Sequence, residues 1–289
     1  MFCLLTGAGT ALLTPALMAA AADHFTTAAE AGRAATLVTA TTSLTALLAA
    51  PLVVWPAEFW GWRGDYVAVA VVSAVLAVEL VRLSRATTID EVKPRVGYLD
   101  AFRIAVRIPG ALPLTAMAFL RTTAFMGYLS YLAALFDFRF HLAPTVFAFV
   151  WTLSGASFFV ANFLTGRWLA THGERGVLAL AAGLSTGTLA MLVVHLVPDL
   201  VVVLAGTAAL GATHATIAAG VTTMLVHRAG AARGTVLSLQ AAAMSLGVFM
   251  GSAVGGLGLS LGGFPGLGVA LAAVTALGLP LCLCVRQPR

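Results

Sequence analysis

Arg121, Phe125 and Tyr128 stand at i, i+4 and i+7 inside the apolar run ALPLTAMAFLRTTAFMGYLSYLAALF, so helical geometry gathers a cation, a ring and a phenol on one face. Such a trio can hold a small ligand by charge and by stacking. A charge in the middle of a membrane span costs at least about 2.5 to 3.5 kcal/mol, so Arg121 calls for a cavity or a partner. The competing reading is an arginine satisfied by carbonyls or snorkelling along the bundle. His214 is the one titratable group of GTAALGATHATIAAG, and an imidazole with its usual pKa of about 6.5 suits proton relay or substrate contact. No carboxylate lies in that run to orient it, so a hydrogen-bonded packing histidine is the alternative. Gln240 and Asn162 are further polar groups in apolar surroundings, and hydrogen bonding between helices accounts for them as readily as ligand contact does.

No nucleophile elbow, phosphate loop, metal-ligand cluster or nucleotide fingerprint occurs. GLGLSLGG at 256–263 ends an apolar run instead of following a strand, so its glycines read as helix-packing and turn residues. Cys3, Cys282 and Cys284 all lie in apolar runs, and two residues of separation put the last two on different helix faces. Neither an enzymatic activity nor a metal or cofactor is expected.

Hydrophobic residues make up 60% of the 289 residues and charged residues 9%, against roughly 45 to 50% and 25% in a soluble domain. Nine runs of membrane-spanning length follow one another, at 1–22, 35–55, 64–81, 110–136, 142–165, 176–195, 199–226, 235–258 and 263–285; about 20 apolar residues suffice to cross a bilayer. The runs do not alternate as barrel strands do, and helices satisfy their own backbone groups in lipid. An all-α integral membrane protein with about nine transmembrane helices is therefore expected, with the lipid bilayer as its first partner. The first run resembles a signal peptide but lacks a positive start, so it reads as a span that stays.

Sixteen residues are basic, yet they form no stripe with interleaved aromatics, which argues against nucleic acid. With the C-terminus in the cytoplasm, thirteen of the sixteen fall inside, only Arg63 and Arg139 fall outside, and Arg121 lies within a span. The positive-inside rule then orients the chain in the inner (plasma) membrane as a multi-pass protein, N-terminus out and C-terminus in.

The polar gap from Arg82 to about Pro109 parts three spans from six. It ends in YLDAFRIAVRI, whose apolar residues recur at helical spacing among arginines; it reads either as an amphipathic helix on the inner leaflet or as a solvated linker with some helix. Expected domains are a three-helix unit at 1–82, a cytoplasmic linker at 83–109 and a six-helix unit at 110–289. Laying the span after Arg33 over the span after Arg233 sets Ala46, Ala50 and Pro51 against Gly247, Gly251 and Ser252. Small residues four apart let helix backbones approach closely, and three-helix repeats mark transporter folds.

With these elements in place, ARGTVLSLQAAAMSLGVFMGSAVGG at 232–256 resembles the eleventh helix of the major facilitator superfamily, especially its bacterial drug:proton antiporter branch, which includes arabinose and chloramphenicol efflux proteins. Gly247, Gly251 and Gly255 fall on its four-residue glycine steps. GAGTALLTPALMAAAADHF at 7–25 is similar to the fourth helix, Gly61, Trp62 and Arg63 to the opening of the sixth, and ANFLTGRWLATHGERG at 161–176 to the loop after the eighth. In that loop Gly166, Arg167, Gly173 and Arg175 keep the gating motif, while Ala170 stands where the family has an acid. Of the fifth-helix antiporter motif only Pro51 remains, and Cys3 stands where the fourth helix carries an arginine.

The resemblance implies a fold lacking the family's first three helices, and it puts Arg121, Phe125 and Tyr128 on the seventh helix and His214 on the tenth, both lining the central cavity. It implies proton-linked efflux of a drug or sugar, driven by the proton gradient without a cofactor, with little coupled transport by the chain alone. The alternative is a non-transporting membrane protein that assembles with separately encoded helices or a second copy.

Overall fold

The computed structural model describes residue 9, residues 59–86 and residues 98–285. Pro51 and, Gly9 apart, the spans expected at 1–22 and 35–55 lie outside the described residues. Eight α-helices and no strand occur among the described residues. They are α1 (Trp62–Ala86), α2 (Tyr98–Arg107), α3 (Ala111–Phe140), α4 (Pro144–Thr171), α5 (Gly176–Leu196), α6 (Leu200–Ala229), α7 (Arg233–Ala276) and α8 (Gly278–Cys284).

Five stretches are long and apolar enough to cross a membrane, namely Arg63–Leu83, Thr145–Leu169, Gly173–Leu196, Leu200–Ala229 and Arg233–Cys284. α3 has 30 residues, about 45 Å of helix, but carries Arg121 in its interior. The helices overrun the apolar spans at their arginine-bearing ends: α4 continues to Thr171 and α6 to Ala229, because backbone hydrogen bonding does not stop where the apolar side chains do.

α7 is a hairpin. Gly263 adopts φ 61° and ψ −156°, a conformation open essentially to glycine alone, and the chain doubles back there. A Cβ on Gly258 would lie 2.8 Å from the Gly266 carbonyl oxygen and 3.0 Å from Leu267 Cα, so the arms 233–261 and 264–276 are in backbone contact. The two spans expected on either side of residue 260 are therefore separate passes joined by a two-glycine turn.

Apolar surface cannot drive helices together in a solvent that is itself apolar, so close packing must. Each principal interface accordingly has glycine at its closest points. Along α3 and the first arm of α7, which run parallel, a Cβ on Gly247 would meet the Phe119 carbonyl oxygen at 2.8 Å, and one on Gly251 would meet the Gly127 nitrogen at 2.7 Å. One turn on, a Cβ on Gly255 would strike the Tyr131 ring at 2.6 Å. Tyr131 also donates to the Ser252 carbonyl oxygen at 2.9 Å. Gly211 brings α6 against Ser154 and Ser157 of α4, Gly183 brings α5 against Ile217 of α6, and Gly268 brings the second arm of α7 against His195.

Between these seams lie two apolar clusters. Leu114, Met117, Leu180, Leu184, Ile217 and Val221 belong to the one nearer the arginine-bearing end. Leu132, Leu135, Met191, Val203, Leu210 and Leu271 belong to the other. α1 shows its apolar side chains from Val67 to Leu83 exposed in the described structure. α2 is the short helix that YLDAFRIAVRI predicts, with Phe102 and Val106 exposed and Ala105 buried, and Arg103 paired with Asp100 at 3.3 Å. It joins α3 through Pro109 and Gly110, whose φ is 79°, and Arg228 of α6 pins this corner by donating to the Pro109 carbonyl oxygen at 3.1 Å.

Candidate functional site

A thin polar layer separates the two apolar clusters. α3 supplies Arg121, Thr122 and Thr123, α6 supplies His214, and the second arm of α7 supplies Thr275, all buried. Arg121 is about 15 Å along α3 from Ala111, half of a hydrocarbon layer about 30 Å thick. The threonines bond within their own helices: Thr123 donates to the Phe119 carbonyl oxygen at 2.9 Å and Thr275 to that of Leu271 at 3.0 Å. This back-bonding makes a hydroxyl inexpensive inside an apolar bundle.

Arg121 and His214 are not settled in this way. Arg121 is 4% exposed, and its Nη2 donates to the Thr122 hydroxyl at 2.9 Å, which engages one of five N–H donors. The carboxylates between residues 111 and 285 are Asp137, Glu174 and Asp199, all exposed at or beside helix ends, so none reaches it. His214 is fully buried, and neither Nδ1 nor Nε2 has a hydrogen-bond partner among the described residues. Its ring is held by stacking instead: the centroid is 5.0 Å from that of Phe125 at an interplanar angle of 23°, and Phe125 is in turn 5.6 Å from Phe158 of α4 at 22°. A buried polar group without a partner costs about 1 to 3 kcal/mol, and more when charged. His214 is such a group, and Arg121, with one bond of its own, lies one turn along α3 from the Phe125 ring on which His214 stacks.

Tyr128 and Gln240 are each bonded to α6. The Tyr128 hydroxyl, fully buried, donates to Thr207 of α6 at 2.9 Å, a strut between helices. Gln240 is 6% exposed and its Nε2 donates to Thr222 at 2.9 Å. Two α3 turns from Arg121 toward the arginine-bearing end, Thr115 Oγ1 is a further buried hydroxyl without a partner among the described residues. The structure thus brings Arg121, Phe125 and His214 together, with Tyr128 and Gln240 already engaged on either side.

The loop motif lies at the arginine-bearing end. Arg167 places its guanidinium 5.4 Å from the centre of the Phe163 ring one turn back, and Arg175 is 3.9 Å from Glu174. A Cβ on Gly166 or Gly173 would meet nothing within 4 Å, so packing among the described residues does not demand glycine there. Glu79 pairs with Arg82 at 3.1 Å, as their i, i+3 spacing predicts.

Sequence reasoning missed three side chains. Phe158 closes the aromatic stack, but it is one of 16 phenylalanines and no period singles it out. Arg139, which charge counting leaves as an outer loop residue, donates to the carbonyl oxygens of Val194 at 3.0 Å, Val197 at 3.0 Å and His195 at 2.6 Å. It caps the C-terminus of α5, where carbonyls have no helical partner and the dipole favours a cation. His195 sets its Nδ1 2.8 Å from the Met191 carbonyl oxygen, the bond that His214 lacks.

The chain matches the sequence profile of the Major Facilitator Superfamily over residues 1–142 and again over 114–289. The chain belongs to the Major Facilitator Superfamily. Two solved structures carry the same fold. One is the human organic anion transporter MFSD10 (TETRAN), with a TM-score of 0.58 at 18% identity over 65% of this chain and 46% of that one. The other is a bacterial homologue of the human lysosomal transporter Spinster, inward-facing and unoccupied, with a TM-score of 0.59 at 19% identity over 89% of this chain and 67% of that one. At these identities the likeness is one of fold, and the chain spans under half the length of the human protein. No curated protein matches the chain. Membership in the superfamily and its transporter neighbours make this a multi-pass membrane protein of a transport family and point away from an enzyme.

Proposed function

We propose that the chain takes part in the export of small organic compounds linked to proton movement, in the manner of the drug and sugar exporters its motifs resemble. Cargo contacts the mid-bundle group of Arg121, Phe125 and His214, with Gln240 at its margin. The observation that carries this reading is His214, buried with no hydrogen-bond partner among the described residues and stacked on Phe125 one turn along α3 from the buried, singly bonded cation Arg121, in a layer between two apolar clusters. Folding alone gives no reason to retain such groups, since sites that break local rules of stability are where function is expected. His214 supports a proton link because it is the titratable imidazole of the layer and has no competing bond. Helix bundles of this kind work by rocking about a midplane site. The arginine-bearing end of α3 to α8 faces the cytoplasm of the inner membrane in this reading, where positive charge is retained.

Reconstitution into vesicles with a trapped pH dye tests it. Imposing a proton gradient and adding cationic, neutral and anionic organic compounds should give compound-dependent proton movement, lost in Arg121→Ala at unchanged expression. Proton movement no greater than in empty vesicles for every compound class would sink the reading.

A further inference from the structure

We infer that the cargo carries a compact negative head, a carboxylate, which binds between the guanidinium of Arg121 and the imidazole of His214. This names the substrate class of the site proposed above and rests on that reading. Two observations converge on the sign of the charge. First, Arg121 is a buried cation whose bonded neighbour is the neutral Thr122 hydroxyl, and the carboxylates between residues 111 and 285 stay exposed at helix ends. Second, the group across from it, His214, is neutral or positive but never negative, and both of its nitrogens are buried without partners among the described residues. A positively charged cargo would meet a second cation and, among the described residues 111–285, no acid, in a medium of low dielectric where like charges repel most strongly. An anion is met by the arginine fork, which fits a carboxylate with two parallel hydrogen bonds, and by a histidine N–H that gains its missing acceptor.

The body of such a cargo should be apolar or aromatic. Around the polar layer stand Phe125, Phe158, Ala124 and Leu210, and the clusters above and below are apolar. A dicarboxylate of any length would drive its second charge into one of them.

Full-length chain in lipid nanodiscs, followed by thermal unfolding, provides the test, with benzoate as probe against benzamide, benzylamine and chloride. Benzoate should raise the midpoint with concentration while the other three leave it in place. Arg121→Gln should weaken benzoate binding at least about tenfold, the scale of a lost charged hydrogen bond. Arg121→Met, which removes a buried charge, should raise the midpoint of the ligand-free protein while abolishing the benzoate effect; an arginine that merely held the bundle together would lower it. Stabilisation by benzylamine equal to that by benzoate, by chloride equal to that by benzoate, or by none of the probes would overturn the inference, as would a benzoate effect unchanged in Arg121→Gln. Benzoate bound through Arg121 with no compound moved across the bilayer would defeat the exporter reading alone. Arg121-dependent movement of a cation would defeat this one alone.

Discussion

α3 presents two unlike faces to the rest of the bundle. Toward α7 it is closed: Gly127 meets Gly251, Phe119 meets Gly247, and Tyr131 lies on Gly255 with its hydroxyl bonded to Ser252. Backbone touches backbone, and no side chain larger than hydrogen fits at the contact points. Toward α4 and α6 the same helix shows Arg121 and Phe125, and there the contact is made by rings and by a guanidinium with four of its N–H groups left over. The first face is held by close packing of backbone and by the Tyr131 to Ser252 bond. The second gives up stability, as the binding site proposed there would require.

Substitutions that respect this division should separate folding from function. The largest effect is expected of Gly251→Leu, because its Cβ alone would lie 2.7 Å from the Gly127 nitrogen. Overpacking a rigid contact costs about 1 to 3 kcal/mol or more, and with backbone on both sides the upper end applies. Loss of the monodisperse peak in size-exclusion chromatography would register it, whereas a well-behaved Gly251→Leu protein would break the closed-seam description.

Next comes Arg139→Ala, which leaves three carbonyls at the end of α5 without a donor. A drop of about 1 to 3 kcal/mol in unfolding stability is expected, with transport retained in proportion to folded protein. A smaller effect of the opposite sign is expected on the open face. His214→Phe keeps a flat ring on Phe125 and removes two buried unpaired nitrogens, so stability should hold or rise by about 1 kcal/mol while proton-linked transport falls. A fall in stability there would mean that His214 is a packing group after all. Least of all is expected of Gly173→Ala, where an added Cβ meets nothing within 4 Å; a shift within about 0.5 kcal/mol is expected.

The helices and the depth of the arginine were legible in the sequence because both depend on local rules: run length against membrane thickness, and the expense of a charge among apolar neighbours. The face shared by Arg121 and Phe125 followed from helical spacing in the same way. Partnership was not legible. Four-residue glycine steps at 247, 251 and 255 announce a close approach without saying to what, and overlaying them on residues 46 to 51 gives no hint that the neighbour is α3. Tyr128 shared the ligand face by spacing, yet its hydroxyl is bonded to Thr207, 79 residues away. Arg139 looked like a loop charge because it lies just beyond the apolar run 110–136; its acceptors lie 55 to 58 residues further on. Long-range pairing of this kind depends on the three-dimensional meeting of helix ends, which no local period records.

The α3 to α7 seam has a consequence for how the protein is made. Tyr131 and its acceptor at Ser252 are 121 residues apart, and at roughly 5 to 20 residues per second a ribosome needs about 6 to 25 s to cover that distance. During that interval α3, with Arg121 in its interior, is without the helix that closes its back. Its glycine-exposed flank is then open to any other helix that comes by, so the insertion machinery must shelter α3 until α7 arrives.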